Sequence, residues 1–216
     1  MFLIDLHVHT RRFSPCAELL DPKHLAQRIR LKGISGVVLA EHDALWEAAD
    51  IKALNHELGE IRIYRGAEIS TNIGHVVVVG LDHLCGITPG IDMEALVAIA
   101  HHHAAAAIVV HPQQLYRRTG QSLQFWQVPS RIDAIEVASS ATRGHQRCLL
   151  HAMALRCGWH AVAGSDAHYL EQVGCCVTGF DHLPADEHEL AQLIRTGQGV
   201  ALSLENGEPS LISHVV

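Results

Sequence analysis

No stretch of this 216-residue chain approaches the roughly 18 consecutive apolar residues that a membrane helix needs. The early apolar run is interrupted by Asp5 and no basic region precedes it, so neither a signal peptide nor a membrane partner is expected, and the expected location is cytoplasmic. The six cysteines, Cys16, Cys85, Cys148, Cys157, Cys175 and Cys176, form no C-x-x-C pair, which removes the zinc-ribbon and thioredoxin readings and fits reduced thiols. Basic residues are also short: 16 Lys and Arg stand against 23 Asp and Glu, a formal charge of -7. That balance disfavours a nucleic-acid partner, because a phosphate backbone is repelled on average. There is no Ser/Gly-rich linker and no internal repeat. With 48% apolar residues, the chain is expected to fold as a single domain over 1–216 with a substantial core.

What the chain has in excess is histidine: 18 residues, more than Lys and Arg together. Histidine is the commonest metal ligand among side chains and the usual acid/base group near neutral pH. Its positions carry the argument. Apolar, strand-like segments alternate with helical ones. Strands are predicted at Phe2–His9, Gly36–His42, Arg62–Ser70, His75–Leu81, Ala107–His111, Ala134–Ser139, His160–Ser165, Val173–Phe180 and Val200–Leu204. Helices are predicted from Asp21-Pro22 to Lys32, at Trp46–Leu58, Ile91–Ala106, Arg143–Cys157 and Asp186–Thr196. Such alternation implies a largely parallel sheet or a closed α/β barrel.

Five strands end in ligand types: Asp5-Leu6-His7-Val8-His9, Glu41-His42-Asp43, Gly66-Ala67-Glu68, Val110-His111-Pro112 and Gly164-Ser165-Asp166-Ala167-His168. Residues two apart on a strand share a face, so His7 and His9 form half a site between them. In a parallel barrel the C-terminal strand ends meet at one mouth. His75, which opens its strand, joins them if that strand runs antiparallel. Imidazole and carboxylate suit Zn, Mn or Fe, and a bridging carboxylate holds two cations together, the arrangement used in metal-assisted hydrolysis. Glu68 and Asp166 supply negative charge. Asp5 and Asp43 are candidates to hold the second ring nitrogens of the ligand histidines.

These motifs resemble the PHP (polymerase and histidinol phosphatase) family. Asp5-Leu6-His7-Val8-His9-Thr10 is similar to its D-L-H-x-H-T opening, and Ala40-Glu41-His42 to its second motif with Ala in place of Thr. Glu68, His111-Pro112 and Gly164–His168 follow in the family's order over positions 1–180. The resemblance implies a distorted (β/α)7 barrel that binds two or three divalent ions. The ligands it implies are His7, His9, His42, Glu68, His75, His111, Asp166 and His168, with Glu68 bridging. Many members carry an acidic or histidine ligand shortly after the first motif. Here Arg11–Glu18 offers only Cys16 at that place, which leaves the ion count at two or three.

The implied activity is a metal-dependent phosphoesterase acting on a small phosphorylated metabolite or nucleotide through a metal-bound hydroxide. Asp43 is the candidate for handling protons. Arg143, which follows a strand end, is the first candidate for holding phosphate oxygens, ahead of Arg11, Arg12, Arg117 and Arg118. An amide or lactone hydrolase on the same site, and a non-catalytic metal-stabilised regulatory domain, are the rival readings. Glu136, in an apolar strand, is expected to support a ligand or to pair with an arginine. His101, His102 and His103 lie within a helical pattern and only one of them can face the core. Trp46 is expected as a packing anchor. No feature of the chain sets an oligomeric state.

Overall fold

The computed structural model describes residues 1–116, 120–205 and 208–212. Arg117 and Arg118 lie outside them. In chain order the elements are β1 (Phe2–Val8), α1 (Leu25–Lys32), β2 (Gly36–His42), α2 (Ala48–Leu58), β3 (Arg62–Ser70), β4 (His75–Val79) and α3 (Met93–His102). They continue with β5 (Ala106–Val110), β6 (Leu115–Tyr116), β7 (Gln121–Ser122), β8 (Ala134–Ala138), α4 (Gly144–Cys157), β9 (His160–Ala163), β10 (Cys176–Phe180), α5 (Glu187–Arg195), β11 (Val200–Glu205) and β12 (Glu208–Leu211). Among the described residues, no helix is long and apolar enough to cross a membrane.

Local chemistry explains the helix ends. The Asp21 carboxylate accepts the Lys23 amide ahead of α1, and Gly33, at φ 64°, ends that helix in the left-handed conformation that glycine adopts without steric cost. Asp92 and Asp186 cap α3 and α5 through the amides of Ala95, and of His188 and Glu189. The first turn of α2 starts two residues later than expected, because the Trp46 indole is buried and bonded to Glu41 instead of continuing the helix.

Ten strands form one sheet in the order β12-β11-β10-β1-β2-β3-β4-β5-β8-β9. Strands β1, β2 and β3 are parallel, as are β5, β8 and β9; β4 runs antiparallel to both of its neighbours. Seven strands, β1 to β5 with β8 and β9, make a curled barrel wall, and β10 to β12 extend it antiparallel from β1. The fold is therefore the expected distorted barrel with a three-strand extension. Its last strand was not legible: Glu208–Leu211 is exposed throughout and carries no apolar alternation.

The wall strands read as continuous apolar runs because both faces are covered. Val76, Val77, Val78 and Val79 are all buried, and alternate members belong to different core clusters. One cluster joins Ile4, Leu6, Val38, Tyr64, Val77 and Ile108 to Leu190, Leu193 and Ile194 of α5, an amphipathic helix that covers one end of the barrel. In β1 the register against β2 slips between Asp5 and Val8, a bulge of the kind that re-aims side chains near sites.

The barrel curls shut where the segment after β9 meets β1. Val8 and Ala167 form a parallel bridge, and the His9 amide donates to the Ala167 carbonyl at 3.0 Å. Gly164 permits that approach: a Cβ there would lie 2.7 Å from the His7 Cβ and 2.8 Å from its amide nitrogen. Gly164→Ala is expected to lower unfolding free energy by about 1–3 kcal/mol, the usual cost of overpacking. Gly144→Ala, where a Cβ meets nothing within 4 Å, should change it by less than about 0.5 kcal/mol. Equal denaturation midpoints for the two variants would contradict this account of the closure.

Candidate metal centre

All eight residues expected as ligands meet at the mouth of the barrel. His7 and His9 come from the end of β1, His42 from β2, Glu68 from β3, His75 from the start of the antiparallel β4, His111 from just after β5, and Asp166 and His168 from the loop after β9. Four non-glycine residues among those described have positive φ, and three lie at these strand ends: Asp43 at 50°, His111 at 31° and Asp166 at 54°. L-residues rarely adopt that conformation, which persists only where the surrounding structure enforces it.

Glu68 is the hub. Its Oε1 lies 2.8 Å from His111 Nε2 and 3.0 Å from His75 Nδ1. Its Oε2 lies 2.8 Å from His42 Nδ1, 3.3 Å from His9 Nε2 and 3.6 Å from His7 Nε2. Asp166 Oδ1 lies 3.3 Å from His9 Nε2 and 3.6 Å from His7 Nε2. Donor atoms gather into three groups of ion-binding size: His7, Glu68 and His111; His7, His9 and Asp166; and His9, His42 and His168. Cys16 is exposed and belongs to none of the three.

Two details fit cations at this place. His7 Nε2 and His9 Nε2 face each other at 3.1 Å, although both rings are buried. Glu68 Oε2 is buried and lacks a hydrogen bond of good geometry despite its imidazole neighbours. A buried carboxylate oxygen without a donor costs free energy unless positive charge sits beside it.

The electrostatics agree. Burial alone would raise the Glu68 pKa, but the surrounding imidazoles of His111, His42, His7 and His75 outweigh it and hold the carboxyl well below its ordinary range. For Asp166 burial likewise opposes, and the His7 charge with the His9 hydrogen bond wins, lowering it. Burial would depress His7, yet Asp166 and Glu136 lift it well above 6.5. In His42 and His111 burial is outweighed by Glu68, and both are raised. His9 goes the other way: burial, joined by the charges of His7 and His42, takes it down to about 4.

The ring nitrogens turned away from the centre are held by Glu136, one of the expected groups, and by Ser14 and the Asp166 carbonyl in place of Asp5 and Asp43. His7 Nδ1 meets Glu136 Oε2 at 2.9 Å, so Glu136 pairs with a ligand and not with an arginine. His9 Nδ1 lies 3.4 Å from the Ser14 hydroxyl, which donates to Glu41 at 2.6 Å and accepts the His42 amide. His168 Nδ1 lies 3.0 Å from the Asp166 carbonyl. Asp5, offered as such a partner, instead accepts the amides of Ser165, Gly174 and His7, and burial lifts its pKa to about 6. Asp43 accepts the Ser70 amide and hydroxyl, each at 2.8 Å, so both its oxygens are engaged. Glu41 accepts from Thr10, Ser14 and Trp46, tying the loop after β1 to β2. Ser14 went unassigned in the sequence because a short polar side chain on a loop carries no periodic signal, and Glu41 was grouped only with the strand-end motif of His42.

The cations lie further out. Arg143 is exposed at the N-cap of α4. Arg11 pairs with Asp21, and Arg12 with Asp50. Of the three consecutive histidines, His101 packs inward and bonds Asp133, while His102 and His103 are exposed.

Residues 152–198 match the PHP-associated family PHP_C. Among solved structures, a two-domain protein from Bacteroides vulgatus containing a predicted PHP-like metal-dependent phosphoesterase superposes with a TM-score of 0.71, at 16% identity, over 93% of this chain and 64% of that one. The chain therefore shares the fold of PHP-like proteins. Other chains share the PHP fold. PsfC from Pseudomonas syringae superposes with a TM-score of 0.68, at 21% identity, over 95% of this chain and 93% of its own. The lesion-specific endonuclease Q of Pyrococcus furiosus gives 0.64, at 15% identity, over 94% of this chain and 59% of its own. By sequence, the uncharacterized protein MJ1587 of Methanocaldococcus jannaschii is 25% identical over 118 residues, 50% of this chain and 66% of that relative, so the match spans just under two thirds of its length.

Endonuclease Q corrects one expectation. It has also been solved with a 27-mer duplex substrate carrying an abasic lesion at its active site. A protein containing this fold thus acts on nucleic acid, and a formal charge of -7 does not argue against such a partner. Net charge sums the whole surface, whereas a nucleic acid reads the local field at a mouth.

An imidazole must be neutral to hold a cation, and His7, His42 and His111 are held above the ordinary imidazole range in the metal-free chain. Cation uptake therefore displaces protons, and Zn²⁺ affinity should rise as pH goes from about 6 to about 8. Calorimetry in two buffers of different protonation enthalpy checks this; identical heats would contradict it.

Proposed function

We propose that this chain is a PHP-family metal-dependent phosphoesterase, working as one unit over residues 1–216. The observation that supports it best is the convergence of six imidazoles and two carboxylates from strands scattered over the chain, with Glu68 at their centre. The residues that would hold two or three ions such as Zn, Mn or Fe are His7, Glu68 and His111; His7, His9 and Asp166; and His9, His42 and His168. His75 completes the set from the Glu68 side. Bound there, divalent cations supply Lewis acidity and positive charge against a developing anionic oxygen.

The chain's own groups do the rest. Glu68 and Asp166 stay ionised and offset the cations. Glu41, through Thr10, Ser14 and Trp46, fixes the rim beside His42. In this reading Arg143, exposed on the loop after β8, is the residue that would hold the non-bridging oxygens of a phosphate ester. Asp43 orients the end of β3 through Ser70 and is not the proton carrier in this reading. A small phosphorylated metabolite or nucleotide is the first substrate class to test, and an oligonucleotide belongs in the same screen.

Phosphate release from monoesters, nucleotides and an oligonucleotide should vanish on thorough chelation and return with Zn²⁺, Mn²⁺ or Fe²⁺. Activity that survives metal removal would reject the proposal. Turnover of an amide or lactone in place of phosphate esters would move the reading to the rival hydrolase. Asp166→Ala should cut turnover by more than about a hundredfold, since losing even an outer partner of a metal ligand costs that order. Its secondary structure should stay intact by circular dichroism.

A further inference from the structure

We infer that Glu136 is the positioning residue of the ion held through His7 and His111, and that the ion held by His9, His42 and His168 does not depend on it. This rests on reading the mouth as a metal centre. Glu136 lies on β8, is 2% exposed, and is flanked along the strand by buried Ile135 and Val137. A carboxylate in such a place is costly unless its oxygens are engaged. Both are, and both by ligand residues. Oε2 meets His7 Nδ1 at 2.9 Å, and Oε1 accepts the His111 backbone amide at 3.3 Å.

Each contact does a different job. When His7 Nδ1–H donates to Glu136, the Nε2 lone pair is left facing Glu68, His9 and Asp166, and the ring cannot turn over. The His111 amide belongs to a residue at φ 31°, a backbone state that needs outside support. With that amide held, His111 Nε2 sits 2.8 Å from Glu68 Oε1, and its ring stacks at 23° on that of His7, centroids 5.7 Å apart. One buried carboxylate thus sets two imidazoles from different strands that share Glu68 as their third donor.

The other group is supported separately. His9 Nδ1 rests on Ser14, His168 Nδ1 on the Asp166 carbonyl, and the His42 amide on Ser14. Among the described hydrogen bonds, none joins Glu136 to His9, His42 or His168. A general loosening of the mouth and the loss of Glu136 alone therefore have different signatures.

The test is Zn²⁺ stoichiometry and affinity, by competition with a chromophoric chelator, in the full chain. Glu136→Gln keeps the shape but turns an NH₂ toward one of the two donors. It should weaken one class of bound Zn²⁺ by about 10–100-fold and leave at least one ion at wild-type affinity. His168→Ala should show the reverse, losing the class that Glu136→Gln retains. If Glu136→Gln does not fold, Glu136→Asp carries the test, because it keeps the charge with a shorter reach. It should weaken the same class by a smaller factor. Unchanged binding in the Glu136 variants, or equal weakening of every ion, would overturn the inference. A wild-type chain that binds no Zn²⁺ would instead overturn the metal-centre reading itself.

Discussion

One buried carboxylate organises the mouth of this barrel. Glu68 takes imidazole nitrogens from β1, β2, β4 and the end of β5, and each approach requires its strand to end at the same height. An ionised carboxylate in an apolar wall is tolerated only with positive charge or strong donors around it. The histidine excess, the antiparallel insertion of β4 and the curl of the sheet are linked through that need. If β4 ran parallel like its neighbours, His75 would lie at the far end of the barrel.

The curl is held at a few places where the backbone does something unfavourable. Gly164 lets the segment after β9 lie against His7. The bulge in β1 re-aims His7 and His9, and His111 and Asp166 keep left-handed backbones. Strain of this kind is stored where a site must hold its geometry, and the apolar core beneath supplies the stability that offsets it. Core and site are divided along the strands: Val76–Val79 and Ile108–Val110 are buried, and the ligand types begin where those runs end.

The surroundings of the ligands show how buried polar groups are satisfied without waste. Glu136, Glu41, Asp5 and Asp43 each use their oxygens on a fixed set of donors, and each set ties one segment of the mouth to another. The cations of the rim, by contrast, are exposed or paired with surface acids. The buried polar groups of the mouth thus have fixed partners inside the fold, while these cations face solvent or surface acids.

Much of this was legible in the chain itself. Ligand types at strand ends, the Pro22 and Gly33 boundaries of the first helix, and the apolar runs of the wall follow from local rules, because side-chain period and capping depend on near neighbours. The meeting of the eight candidate residues at one mouth was also expected, since a barrel brings strand ends together whatever their separation in sequence. What only the tertiary structure decided were the partners of those ligands. Glu136 belongs to His7 because the curl of the sheet brings its side chain to that of a residue 129 positions away along the chain. Asp43 turned to Ser70 through a local hydrogen bond that no periodicity reports. The exposed β12 strand forms because β11 offers an edge, not because its own residues call for it. Contacts between remote segments depend on how the sheet curls, and that is set by the packing of the whole chain.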